Sequence, residues 1–255
     1  MADDAPKGER IAKRMARAGV ASRREAEAMI LAGRVVLNGK PLETPATLVT
    51  ADDSIEVDGA ALPEIERARM WRYHKPRGLV TTAKDPEGRA TVFQKLPKHL
   101  PRVVSVGRLD LSSEGLLLLT NDGGLARALE LPSRGWTRRY RVRVYGAPSA
   151  RAITQLAKGV TVEGVRFGPI QASLETTPDE NAKRRANVWL TVTLQEGKNR
   201  EVRKALEHVG HPVSRLIRTA YGPFQLGRLQ PGEVEEISGK VLREQMGAAA
   251  KELGL

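Results

Sequence analysis

SVGRLDLSSEGLLLLT, residues 105–120, decides how the chain is read. Residues 103–106 (VVSV) have the composition of a strand running into Gly107. Residues 116–119 (LLLL) read as a second, buried strand, ended by the turn Asn121-Asp122-Gly123. Between them lies a polar loop that carries Arg108, Asp110 and Glu114. An ionised carboxylate taken out of water is costly unless it is paired and hydrogen-bonded, so carboxylates set between two core strands need partners or a use. The pattern alone leaves two readings open. Arg108 and Asp110 could pair to close a turn, or the loop could hold a carboxylate rigidly at a cleft.

Working outward, Tyr140, Val142 and Val144 alternate with Arg139, Arg141 and Arg143. Val188, Leu190, Val192 and Leu194 alternate with Trp189, Thr191 and Thr193. Both have the period of half-buried strands. Residues 125–129, 200–208 and 241–253 read as helices. The mixture predicts a mainly antiparallel α+β domain over residues 69–240, followed by a helical tail at 241–255.

Residues 8–60 predict a separate small α/β unit, joined through a linker at 61–68. Ile11, Met15 and Ala18 share a helical face that Gly19 ends. Ser22-Arg23-Arg24-Glu25 is a capping box, and Ala26, Met29 and Ile30 follow as the stripe of a second helix ending at Gly33. Asn38-Gly39 between residues 35–37 and 40–42 is a hairpin signal, and residues 54–58 read as a further strand.

The chain has 255 residues, of which 40% are hydrophobic and 28% charged, as in ordinary globular proteins. It has no cysteine, which excludes disulfides, thiolate metal sites and thiol nucleophiles. No run reaches the roughly 18 apolar residues of a membrane span, and a cytosolic protein is expected. The net charge of +12 makes a polyanion the first partner to consider. Residues 7–40 hold nine Lys and Arg against three acids, whereas residues 41–60 hold five acids and no Lys or Arg. His74, His99, His208 and His211 show no metal-ligand spacing, and neither a P-loop nor G-x-G-x-x-G occurs. No metal or cofactor is expected.

Two resemblances add to this reading. GERIAKRMARAGVASRREAEAMILAGRVVLNGKPL resembles the S4 RNA-binding domain, which implies phosphate contacts for Arg10, Lys13, Arg14, Arg17, Arg23, Arg24 and Lys40. GRLD followed by SSEGLLLLTNDG is similar to the catalytic motif of RNA pseudouridine synthases of the RsuA/RluB branch. YHKPRG at 73–78, DPEGR at 85–89, Arg139-Tyr140 and EGKNREVR at 196–203 extend the likeness. The resemblance implies that Asp110 is the catalytic carboxylate in converting uridine to pseudouridine in ribosomal RNA, 23S in the first instance and 16S or another site as the alternative. It could attack C1′, take a proton from C2′, or attack C6 of the base; all three routes need it ionised.

Carried over by motif, Arg203 is the guanidinium that keeps Asp110 charged, Arg108 positions the everted nucleotide, Tyr140 stacks on the uracil and Leu216 packs on its other face. Residues 183–218, with Lys198, Arg200, Arg215 and Arg218, are expected to grip the RNA backbone. A monomer is expected. The alternative from a different class is a non-catalytic RNA-binding assembly factor.

Overall fold

Ser22 accepts a hydrogen bond from Glu25 N, and the Glu25 carboxylate accepts one from Ser22 N, so the capping box forms and starts the helix Arg23–Leu31. The computed structural model describes residues 8–175, 187–252 and 255. The chain divides into two units. One comprises Met1–Ala68 with Pro101–Val103 and Asn121–Gly123; the other comprises Arg69–Leu100, Val104–Thr120 and Gly124–Leu255.

In the smaller unit the helix Ile11–Arg17 packs on Arg23–Leu31, and Ile11, Met15, Ala26 and Ile30 are buried in a core shared with Val35, Ile55 and Val57. Asn38 and Gly39 both take positive φ (50° and 77°), which joins Val35–Leu37 to Lys40–Pro41 as the sequence predicts. Asp58 and Gly59 do the same (53° and 79°), a hairpin the sequence reading missed. It pairs Ala60–Ala61 with Ile55–Val57 and carries the sheet into the stretch read as linker.

Among the described residues the main sheet of the larger unit has nine strands, beside a small separate ladder of Thr161–Val162 with Val165–Arg166: β1 Met70–Lys75, β2 Val104–Val106, β3 Glu114–Thr120, β4 Arg138–Tyr145, β5 Gln171–Leu174, β6 Asn187–Leu194, β7 Val213–Tyr221, β8 Phe224–Gln225 and β9 Val234–Ile237. Their order is β5-β6-β4-β7-β3-β1-β9, with β8 on β7 and β2 on β3. This is the α+β class that the alternation predicts. Seven pairings are antiparallel, and β3 with β7 is parallel. Leu116, Leu117, Leu118 and Leu119 are all fully buried, so β3 is covered on both faces and reads as continuous Leu rather than alternation.

The parallel junction pairs Ile217 with Glu114 and Arg218 with Gly115. Gly115 is required there. Its φ is +104°, and a Cβ would lie 2.6 Å from Arg218 N and closer still to the Arg218 carbonyl oxygen. The strands thus approach closely five residues after Asp110.

The helices differ from expectation at their ends. Gly123–Glu130 starts at the glycine read as turn. Glu201–His208 begins one residue later than predicted, because Arg200 is left-handed (φ 51°). The tail read as one helix is two, Gly239–Met246 and Ala248–Glu252, separated at Gly247 with φ 55°.

Candidate active site

The loop between β2 and β3 is held through its backbone. Six consecutive carbonyl oxygens, from Arg108 to Ser113, each accept a hydrogen bond. Arg218 Nη1 donates to Arg108 O (3.4 Å), Thr81 Oγ1 to Leu109 O (2.9 Å), and Lys75 Nζ to Asp110 O (3.1 Å). Gly78 N donates to Leu111 O (2.8 Å), Arg203 Nη2 to Ser112 O (3.0 Å), and Lys75 Nζ again to Ser113 O (2.9 Å). At the loop's start Gly107 N donates to Glu130 Oε1 (2.6 Å). Such a network leaves the backbone little freedom, so the Asp110 side chain leaves a fixed point.

Lys75, missed by the sequence reading, is central to this network. It is fully buried and gives its third N–H to Pro76 O at 3.0 Å. Burial pulls its pKa from 10.5 to about 8, against the opposing charges of Asp110 and Glu114. The strand MWRYHK also carries Arg72 and His74, so nothing local singled Lys75 out beyond its place in YHKPRG.

The Asp110 carboxylate is one-third exposed and lines a cleft of about 930 Å³ together with Tyr140, Leu216, Arg108, Arg200 and Arg218. That volume is at the upper end of pockets for small molecules, with room for a nucleotide and part of its neighbours. Tyr140 and Leu216 are mostly buried (9% and 5% exposed) where they border this cleft, while Arg108 is exposed.

The guanidinium within ion-pairing distance of Asp110 is not the expected one. Arg200 Nη1 lies 3.8 Å from Asp110 Oδ2. Arg203, on the buried face of its helix beside Val202 and Leu206, donates to Val213 O and Ser112 O. Burial lowers the Arg203 pKa from its ordinary value, helped by Arg200 and opposed by Asp110. Arg203 therefore braces the loop while Arg200 faces the carboxylate. Next to them Glu201 is buried, accepts from Lys198 N at 3.0 Å, and is pushed up to about 7, chiefly by burial.

Three residues expected on the RNA backbone are committed within the protein. Arg215 forks onto the buried Glu114 carboxylate through Nε and Nη2 (2.8 and 3.0 Å), which answers why a glutamate starts an apolar strand. Arg218, only 3% exposed, donates Nε to Leu116 O at 2.8 Å. Lys198 Nζ is held by Arg166 O (2.7 Å) and Glu196 (2.9 Å). Lys183, Arg184 and Arg185 lie outside the described residues. In the smaller unit Glu9 gathers Lys13, Arg14 and Arg17 at 3.0, 3.9 and 3.0 Å, while Arg10, Arg23, Arg24 and Lys40 stand exposed. Among the described residues no cluster of His, Asp and Glu is placed to hold a metal ion, and no helix is long and apolar enough to cross a membrane.

Residues 69–208 match the RNA pseudouridylate synthase family, and residues 9–55 match the S4 domain. The chain belongs to the RNA pseudouridine synthase family. An uncharacterized RNA pseudouridine synthase of Rickettsia prowazekii (strain Madrid E) is 44% identical over 237 residues, which is 93% of this chain and 97% of that protein. Ribosomal large subunit pseudouridine synthase B of Yersinia pestis is 45% identical over 230 residues, 88% of this chain and 70% of that protein. A crystal structure of a pseudouridylate synthase superposes with a TM-score of 0.64 at 22% identity, covering 92% of this chain and 99% of the other, and shows the same fold. The chain is thus an RNA pseudouridine synthase, an isomerase whose substrate is RNA.

Proposed function

We propose that this synthase isomerises a uridine of 23S ribosomal RNA, with the Asp110 carboxylate acting at the everted nucleotide. The observation that carries the reading is that carboxylate, in the middle of a loop fixed at six successive carbonyls, in a cleft also lined by Tyr140 and Leu216. The reaction breaks the bond from C1′ to N1, turns the base and rejoins it through C5, so product and substrate have one composition and no redox partner is consumed. Arg200 Nη1 at 3.8 Å places a positive charge beside this carboxylate. Tyr140 stacks on the uracil and Leu216 covers its other face. Unstacking the uridine costs a few kcal/mol, which favours loop or single-stranded targets. Arg108, exposed on the rim, meets the flanking phosphate. Likeness to ribosomal large subunit pseudouridine synthase B supports a large-subunit RNA target, and Arg10, Arg23, Arg24 and Lys40 of the smaller unit supply further phosphate contacts.

Asp110→Asn keeps the shape of the side chain and removes its charge. The purified variant is expected to bind RNA with unchanged affinity and yield no pseudouridine; product from it overturns the assignment. For the target, carbodiimide mapping of rRNA from cells with and without the gene is expected to lose one or more 23S stops. Loss confined to 16S would refute the large-subunit reading.

A further inference from the structure

The face of the sheet turned away from the cleft carries charges that the reaction does not use. On β4, Tyr140, Val142 and Val144 point to the core and cleft, and Arg139, Arg141, Arg143 and Tyr145 point the other way, all exposed. Alternate residues of a strand share a face, and residues directly paired across strands share it too. Arg143 is paired with Trp189 on β6 and with Arg215 on β7. Four arginines, an indole and a tyrosine (52% exposed) therefore occupy one side of three adjacent strands.

Two of the four guanidinia are neutralised and immobilised. Arg141 lies 4.1 Å over the Trp189 ring and donates Nε to Glu175 at 2.8 Å. Arg215 stands 6.0 Å from the same ring and is held by Glu114. Arg139 and Arg143 make neither kind of contact among the described residues. Like charges directly opposite each other on a sheet cost stability, and Arg143 sits opposite Arg215. A solvated face needs no such arrangement. Threonine occupies neighbouring positions at 191 and 193.

We infer that this face is a second RNA-docking surface, where Arg139 and Arg143 take backbone phosphates of the substrate beyond the nucleotide in the cleft and Tyr145 offers its ring to an unpaired base. The occupant is RNA because the face bears positive charge in excess, in the forked form that suits phosphate, interleaved with aromatic rings. The inference rests on RNA being the substrate and is independent of the role proposed for Asp110.

The test is the double variant Arg139→Thr/Arg143→Thr, with Arg228→Thr/Arg243→Thr as a control of equal charge change at exposed sites elsewhere. Affinity for a 23S fragment long enough to pass round the domain is expected to fall roughly ten-fold near physiological salt. The slope of log K against log salt is expected to shallow by about 1.4 to 1.8, two phosphate contacts' worth. With a minimal stem-loop kcat stays unchanged, and the urea midpoint stays level or rises as the opposed charges are removed. Unchanged affinity and slope for the long fragment overturn the proposal, and so does an equal loss in the control, which would make the effect one of bulk charge.

Discussion

Lys75 is expected to couple the pH of the medium to the geometry of the loop that carries the proposed catalytic residue, Asp110. As an ammonium it has three N–H donors and serves three carbonyls, Pro76, Asp110 and Ser113; as a neutral amine it has two, and one buried carbonyl loses its donor. Losing one of the three bonds, worth about 0.5–1.5 kcal/mol, loosens the anchor of the turn that carries Asp110, although Asp110 O keeps its bond from Ser113 N at 3.0 Å. With a folded-state pKa of about 8, kcat is expected to fall above pH 8, reaching about a tenth of its plateau near pH 9 if the neutral form is inactive. Stability moves in the opposite sense. The folded pKa lies below the unfolded value of 10.5, so between about pH 8 and 10.5 the unfolded chain holds a proton the folded one has released. This group's contribution to stability therefore rises with pH across that window, by about 3 kcal/mol in all. Tritium release from RNA labelled at C5 of uridine measures kcat, and urea melts at pH 7.5 and 9.5 measure stability. Lys75→Met is expected to have a lower kcat throughout and to lack both pH effects in this window. A wild-type kcat that stays flat to pH 9.5, with RNA binding intact, would refute the reasoning.

Gly115→Ala combines a positive-φ penalty with backbone overlap at the parallel junction, and is expected to cost about 4 kcal/mol in urea melts; a loss under 1 kcal/mol would mean that β3 and β7 separate easily. Arg215→Ala leaves Glu114 buried without its fork, and should destabilise by about 3 kcal/mol, the low end for such pairs because Arg215 is half exposed. Reduced RNA affinity with unchanged stability would restore the phosphate role expected from sequence. Arg200→Gly relieves a left-handed non-glycine residue, worth about 1 kcal/mol, and removes the cation facing Asp110. The urea midpoint should hold or rise while kcat falls, and a kcat equal to wild type would show that Arg200 is a bystander.

Local signals in the sequence foretold local structure well. The Ser22–Glu25 box, the Asn38-Gly39 turn and the alternation of β4 and β6 are each decided by residues within a few positions of one another. The placement of Asp110 in a loop between two strands was legible for the same reason. What each arginine does was not. A guanidinium that braces a carbonyl, pairs with a buried carboxylate or waits for phosphate is the same letter, and its partner is set by a register across about a hundred residues, as with Arg215 and Glu114 or Arg218 and Leu116. The likeness to the family singled out Arg203 for Asp110. Two buried residues, Glu201 and Val202, separate it from Arg200, whose backbone is left-handed and whose side chain borders the cleft beside Asp110.

Apart from one internal bond, from Ser113 N to Asp110 O, the carbonyls of residues 108–113 are addressed by donors from positions 75, 78, 81, 203 and 218, so the heptapeptide 107–113 contains little of the instruction for its own shape. Transplanted alone onto another scaffold it would be an ordinary flexible segment. Conversely, side chains at 111 and 112 can be exchanged without touching what orients the carboxylate, because only their main-chain oxygens are engaged in that task. Saturation mutagenesis would therefore find the intolerance of this loop displaced, appearing at sites dozens of residues away.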